Sequence, residues 1–162
     1  VNSDPSNAQL AAASPDSFYN AIWYADVLGQ AMNADVFMIN QWVLSQRTTG
    51  LGLLKGDEVR PTFYVFPLYK NFGSEQVYAA SGVTDVDIFA AKRADGALTL
   101  MVINLSDVEQ RVPLQVKGIQ LKKAELWLLD ATHNAENLDT QAFASDGILT
   151  LPAQSATLYV IR

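Results

Sequence analysis

Residues 36–42, VFMINQW, are apolar on both alternating faces and run into a polar stretch containing Gly50 and Gly52. A strand with no polar face reads as buried on both sides, which in a parallel sheet means helices above and below it. The residues in front supply one such helix. Ser14 stands as an N-cap, and Pro15 takes the first helical position, where its missing N–H leaves nothing unpaired. Phe18, Ile22, Ala25, Leu28 and Met32 then recur at helical spacing, widened by Trp23, Tyr24 and Val27, which predicts a helix over 15–33. A helix followed by such a strand is half of a βαβ unit. Beyond the strand, RPTFYVFPLYKNFG predicts a helix over 60–72, opened by Pro61 and stopped by Gly73. Pro67 lies inside it, and an interior proline costs about 3 kcal/mol, so a kink or a late start is expected there.

From about residue 75 the period changes. EQVYAAS, DVDIFAAKR, ALTLMVINLS, QRVPLQVKG, AELWLLDA, GILTLP and SATLYVIR read as short strands separated by turn chemistry. Val112, Leu114 and Val116 alternate with Arg111, Pro113, Gln115 and Lys117, giving one buried face and, because of the proline, an edge strand. LTLMVINL is apolar on both faces and belongs in the centre of a sheet, and Asp95-Gly96 signals a hairpin. About seven short strands predict an antiparallel sandwich over 74–162. Residues 1–73 hold one clear strand (36–42) between helices 15–33 and 60–72, too little to close a parallel sheet. The expected class is α+β: an incomplete α/β piece followed by a β-sandwich.

Composition narrows the partners. The chain has 17 acidic and 11 basic residues for a net charge of −6, and the basic residues are scattered, which argues against a nucleic acid. No apolar run reaches the ~18–20 residues of a membrane span. Without cysteine there is no disulfide, thiolate zinc site or cysteine nucleophile. Loop carbonyls and Asp side chains leave a structural calcium open, but no EF-hand-like spacing marks a site, and no metal-binding residue or cofactor is assigned.

The helix SFYNAIWYADVLGQAM, the strand VFMINQW, a long loop, RPTFYVFPLYKNFG and a sandwich, in that order, resemble the C-terminal end of retaining (β/α)8-barrel glycoside hydrolases of clan A. The α-L-arabinofuranosidase, β-xylosidase and endoglucanase/xylanase members are the most similar, and the resemblance covers essentially the whole chain. It implies residues 1–73 as the last βα elements of a TIM barrel and 74–162 as an accessory sandwich. In that family the seventh strand ends in a nucleophilic Glu, commonly in a T-E-x-N stretch. The opening VNSDPSN would then come directly after it, with Asn2 at the motif's Asn and the Glu just before Val1. No catalytic residue is therefore expected in this chain, which alone should not hydrolyse a glycoside. The remainder of the barrel, or self-association, is expected to cover the first half. The substrate class favours an extracellular or periplasmic setting and leaves the compartment open.

By the same resemblance Trp42 ends the eighth strand and lies beneath the sugar next to the scissile bond, its indole covering a C–H face. The alternative is barrel core. Asn40 and Gln41 are candidates for sugar hydroxyls, or else structural amides at a strand end, and Asn2 is a candidate at the rim. Retaining hydrolysis needs two carboxyls about 5–5.5 Å apart, and the acids offer no such pair. Asp85 and Asp87 read as solvated, and Asp57 and Glu58 as charges at a helix N-terminus. His133, the single histidine, lies in the polar loop DATHNAENLD. Trp127 reads first as core or interdomain packing and second as an exposed sugar platform; Trp23 and Tyr24 read as core. The opposing interpretation of the chain is a non-catalytic carbohydrate-binding or interaction sandwich, which would require a row of exposed aromatics.

Overall fold

The computed structural model describes residues 14–46 and 51–162. Helix α1 spans Phe18–Asn33 and is followed by three strand stubs, β1 (Ser45–Gln46), β2 (Leu54–Lys55) and β3 (Glu58–Val59). A 3-10 turn at Pro61–Tyr64 leads into α2 (Val65–Asn71). Then come β4 (Glu75–Val77), β5 (Val86–Lys92), β6 (Leu98–Asn104), β7 (Gln110–Pro113), β8 (Lys123–Leu129), β9 (Asn134–Ala142), β10 (Ile148–Leu151) and β11 (Ser155–Ile161).

Every residue of β6 and β11 is buried, and the two strands pair antiparallel at the middle of a six-stranded sheet ordered β4-β5-β6-β11-β8-β9. Period-two alternation sends their side chains to two separate cores. Met101, Ile103, Leu158 and Val160 meet Ile22 and Ala25 of α1 and Val65 and Leu68 of α2. Leu100, Val102, Tyr159 and Ile161 meet Val112 of β7 and Leu149 and Leu151 of β10, which form a two-stranded antiparallel ribbon. The sheet is thus covered by helices on one face and by the ribbon on the other. Two buried polar side chains tie its ends. Thr99 Oγ1 donates to the Ala91 carbonyl (2.7 Å) and accepts the Gly73 N–H (2.9 Å), joining the end of the helical half to the sheet. Asn104 Nδ2 donates to the carbonyls of Val108 (2.9 Å) and Pro152 (2.8 Å), holding the exits of β6 and β10 together.

The edge position expected for the Pro113 strand, the central position of LTLMVINL and the Asp95-Gly96 hairpin all appear, the last with Gly96 at φ +84° and the Arg93 N–H on the Ala97 carbonyl (2.9 Å). The second helix starts late, the outcome expected from Pro67: a 3-10 turn precedes α2, so Pro67 falls in the first turn of the α-helix, where no N–H is required. Three expectations need correction. The first helix starts at Phe18, because Ser14 closes a turn over Pro15 and Asp16 and Ser17 becomes the N-cap. Residues 36–42 join no ladder; no described strand lies beside them, and several of their apolar side chains face outward, with Phe37 95% exposed. Eight strands rather than about seven lie beyond residue 74, because the polar stretch from Asn134 pairs with β8 as β9 instead of forming a loop.

Gly29 sets how closely α1 lies on the sheet: a Cβ there would overlap the ring of Phe89 on β5, itself 3% exposed. Gly29→Ala is therefore expected to destabilise the fold by about 1–3 kcal/mol despite alanine's better helix propensity. Urea unfolding monitored by circular dichroism measures this; an unchanged or raised midpoint would show that the helix can ride outward at no cost.

Candidate functional site

The course of the chain after α1 is set by the way the helix ends. The Val36 N–H reaches the Ala31 carbonyl (3.0 Å) and the Asp35 N–H the Met32 carbonyl (3.1 Å), with Asp35 at φ +53°: a Schellman closure with aspartate in the left-handed position. The chain then runs outward through Val36, Phe37 and Met38, all exposed, to Trp42, which is 70% exposed. The Trp42–Val43 peptide is cis.

Three sets of contacts fasten the loop beyond Trp42. The N–H groups of Leu53 and Leu54 donate to the carbonyls of Val43 (3.0 Å) and Leu44 (2.9 Å), and β1 and β2 pair parallel. At Gly52 a Cβ would come within 2.8 Å of the Leu54 carbonyl oxygen, so this return of the chain accepts glycine only. Arg60, 3% exposed, donates from Nη1 to the Gly52 carbonyl (2.7 Å) and from Nε to Asp16 Oδ1 (2.8 Å), joining the loop to the turn that starts α1. Next to it, Asn20 donates to Thr62 Oγ1 (2.9 Å) in the buried contact between α1 and the 3-10 turn.

The expected site residues divide. Gln41 spends its amide nitrogen on the carbonyls of Trp42 (3.1 Å) and Leu51 (3.1 Å), and its Oε1 is shut off from solvent. It braces the return loop. Asn40 is exposed, its Nδ2 directed at the Met38 sulfur (3.4 Å), and stands with Trp42 on the outer surface. Asn2 lies outside the described residues. Asp57 and Glu58 belong to the β2–β3 turn and strand rather than to a helix start, and Asp85 is exposed. Trp127 is half-buried against the helical core, its Nε1 donating to Glu125 Oε1 (3.0 Å). That hydrogen bond, with others from Arg162 and Asn137, outweighs partial burial and holds the Glu125 carboxyl below its ordinary range. His133 is engaged by Asp130 (Nδ1 to Oδ1, 2.8 Å). Burial alone would raise Asp130, yet the N–H and O–H donors of Thr132 and His133 keep it low. Among the described residues no group of three or more His, Asp or Glu side chains could hold a metal, and no helix is long and apolar enough to cross a membrane.

One carboxyl pair has no counterpart among the sequence expectations. Asp26 of α1 meets Asp87 of β5 on the seam between helix and sheet, with Gln30 Nε2 donating to Asp26 Oδ1 (3.3 Å). Burial and the neighbouring Asp87 carboxyl push Asp26 up to about 6. Tyr69, whose hydroxyl donates to the Ala25 carbonyl (2.6 Å), is kept protonated by burial and by Asp26. Asp87, expected to be solvated, is instead half-buried in this pair; only the fold brings residues 26 and 87 together. A carboxyl raised in the folded state stabilises fully below its unfolded value near 4, and that contribution is lost as pH rises through about 6. Asp26→Asn is therefore expected to raise the melting temperature at pH 8 and to give no gain at pH 4. Equal effects at both values in scanning calorimetry would show that Asp26 does not hold its proton above the ordinary range.

Comparison with known proteins places the fold. Residues 84–154 match the family model described as the D-apionate lactonase C-terminal immunoglobulin-like domain. No curated protein sequence matches the chain. Among solved structures, a family 30 endoxylanase from Clostridium papyrosolvens superposes with a TM-score of 0.71 at 17% identity, over 92% of this chain and 39% of that one. A family 44 xyloglucanase from Paenibacillus polymyxa gives 0.64 at 23% identity, over 87% of this chain and 28% of that one. An arabinose-bound family 51 α-L-arabinofuranosidase gives 0.68 at 14% identity, over 90% of this chain and 28% of that one. The chain thus shares the fold of the C-terminal part of clan A glycoside hydrolases and spans well under half the length of these structures.

Proposed function

We propose that this chain is the C-terminal portion of a retaining glycoside hydrolase acting on a plant-type glycan built of arabinosyl, xylosyl or β-glucosyl units. The observation that carries the reading is Trp42: a largely exposed indole at the end of an apolar segment, on a loop fastened through Arg60 to the start of α1. An indole held in this way offers an apolar face to the C–H side of a sugar ring, with Asn40 beside it for a hydroxyl. Gln41 positions the platform from behind, and Asn2 belongs to the rim. Residues 1–73 are the last elements of the barrel, and the sandwich braces them. The nucleophilic Glu stands outside the chain and attacks the anomeric carbon, with the acid/base Glu protonating the leaving oxygen through an oxocarbenium-like transition state. No cofactor takes part. The exposed Val36, Phe37 and Met38 are covered by the remainder of the barrel or by a second copy.

A second reading, hydrolysis of a sugar-acid lactone, is favoured by the family model over 84–154. That match lies in the sandwich and contains none of the Trp42 loop, so it ranks second. The carbohydrate-binding-module reading is disfavoured by Trp127, half-buried with its N–H engaged.

The test uses the purified chain and the polypeptide that carries it, assayed on aryl β-xyloside, aryl α-arabinofuranoside and an aldonolactone. Residues 1–162 alone should be inactive. The parent should cleave a glycoside, and Trp42→Ala should lower its kcat/KM by at least about tenfold, equivalent to about 1.4 kcal/mol of transition-state stabilisation. Glycoside turnover untouched by Trp42→Ala would remove the platform; turnover of the lactone alone would favour the second reading.

A further inference from the structure

The seam between α1 and β5 brings two acids together with no cation to match them. By period-two alternation Asp87 and Phe89 turn to the helix, and Lys92 turns to the opposite face of the sheet. Asp85 is exposed at the entry to β5. β6 and β11 present Met101, Ile103, Leu158 and Val160 to the helices. α2 presents Tyr69, which burial keeps protonated, while Lys70 beside it is exposed. Neither Asp26 nor Asp87 enters an ion pair among the described residues. Asp26 accepts from Gln30 Nε2 (3.3 Å) and shares a hydrogen bond with Asp87, which requires a proton on one of the two carboxyls.

Close packing keeps the pair together. Gly29 lies one turn beyond Asp26 and Phe89 two residues beyond Asp87, and a Cβ at Gly29 would overlap the Phe89 ring. Helix and strand are thus in direct contact next to the carboxyls, so a docked α1 holds the two acids side by side. The halves of α1 are anchored unequally. Before Asp26, Arg60 binds Asp16 (2.8 Å), the buried Asn20 donates to Thr62 Oγ1 (2.9 Å), and the Tyr69 hydroxyl holds the Ala25 carbonyl (2.6 Å). Beyond it, the bond from Gln76 Nε2 to Asn33 Oδ1 (2.7 Å) is exposed, and a solvated hydrogen bond contributes little net stability. Gly29, a weak helix former, lies in this second half.

We infer that the proton shared by Asp26 and Asp87 is a latch: with it the C-terminal half of α1 stays docked on β5, and without it that half detaches and frays, hinged near Ala25. Fraying undoes the closure at Asp35 that directs the chain toward Trp42, so the latch also governs the course of residues 36–42. Burial and the Asp87 carboxyl push Asp26 up to about 6 in the docked helix. An ordinary carboxyl near 4 in the frayed helix means that docking is favoured at acidic pH and loses that advantage as pH rises through about 6. The latch uses no residue of the Trp42 loop and stands apart from the glycosidase reading.

Hydrogen exchange of the protein, followed by mass spectrometry at pH 5 and pH 7.5 and corrected for the intrinsic pH dependence of exchange, tests this. Protection over residues 27–34 should fall by about tenfold between the two, while residues 18–25, β6 and β11 keep theirs. Asp26→Asn, which can still donate to Asp87 but does not titrate, should retain at pH 7.5 the protection seen at pH 5. Asp87→Asn, which removes the like charge, should shrink the change. Three results would overturn the latch. Unchanged protection would mean that a carboxylate turns to solvent while the helix stays docked. A loss shared equally by β6 and β11 would mean global rather than local opening. A change that persists in Asp26→Asn would assign it to another group.

Discussion

A sheet whose two central strands are apolar on both faces has to be covered twice, and the rest of this molecule is arranged around that requirement. Leaving either face of β6 and β11 open would expose several large aliphatic side chains, each worth about 1.5–3 kcal/mol when buried. One cover is the pair of helices, the other the β7–β10 ribbon. The helical half is therefore more than an appendage to a sandwich. Ile22, Val65 and Leu68 are as deeply buried as any residue of the sheet, and Thr99 reaches from β6 to the Gly73 main chain where the two halves meet.

The same packing fixes the candidate site at a distance. Docking α1 on the sheet determines where its C-terminus points, and the Schellman closure at Asp35 directs the chain from there toward Trp42. At the other end of α1, the Ser14–Ser17 turn presents Asp16 to Arg60. A guanidinium this deeply buried needs nearly all its donors engaged, and its bonds to Asp16 and the Gly52 carbonyl place the return loop. The base of the indole's loop is thus fastened by main-chain hydrogen bonds and by the Arg60–Asp16 ion pair.

Much of the sandwich was legible because the pattern that reveals a strand is also what buries it. LTLMVINL and SATLYVI have no polar face and lie in the middle; RVPLQVK has one and lies at an edge. β9 escaped because NAENLDTQA is polar nearly throughout, with Ala135 its one buried residue. It is a strand on account of its ladder with β8, and a strand held by main-chain bonds at the rim leaves no hydrophobic period to read. The Asp26–Asp87 pair was invisible for a different reason: 61 positions separate the two residues in the chain, and only the docking of α1 on β5 brings them together.

Residues 36–42 show where local pattern and tertiary structure part. Their composition is that of a strand buried on both faces, yet they make no ladder and expose Val36, Phe37, Met38 and Trp42. Hydrophobic pattern reports the environment a segment is suited to, and pairing needs a partner strand with free donors and acceptors, which no described residue provides here. Phe37 at 95% exposure gains nothing from its apolar character in this state, whereas burying a phenylalanine is worth about 1.5–3 kcal/mol. An apolar run that ends in a firmly braced indole accordingly has two separable halves. Residues 36–38 are suited to cover that the described residues do not supply, and Trp42 already has its loop fastened by contacts that they do supply. That division separates an apolar stretch that gains by being covered from an exposed indole whose loop is already braced.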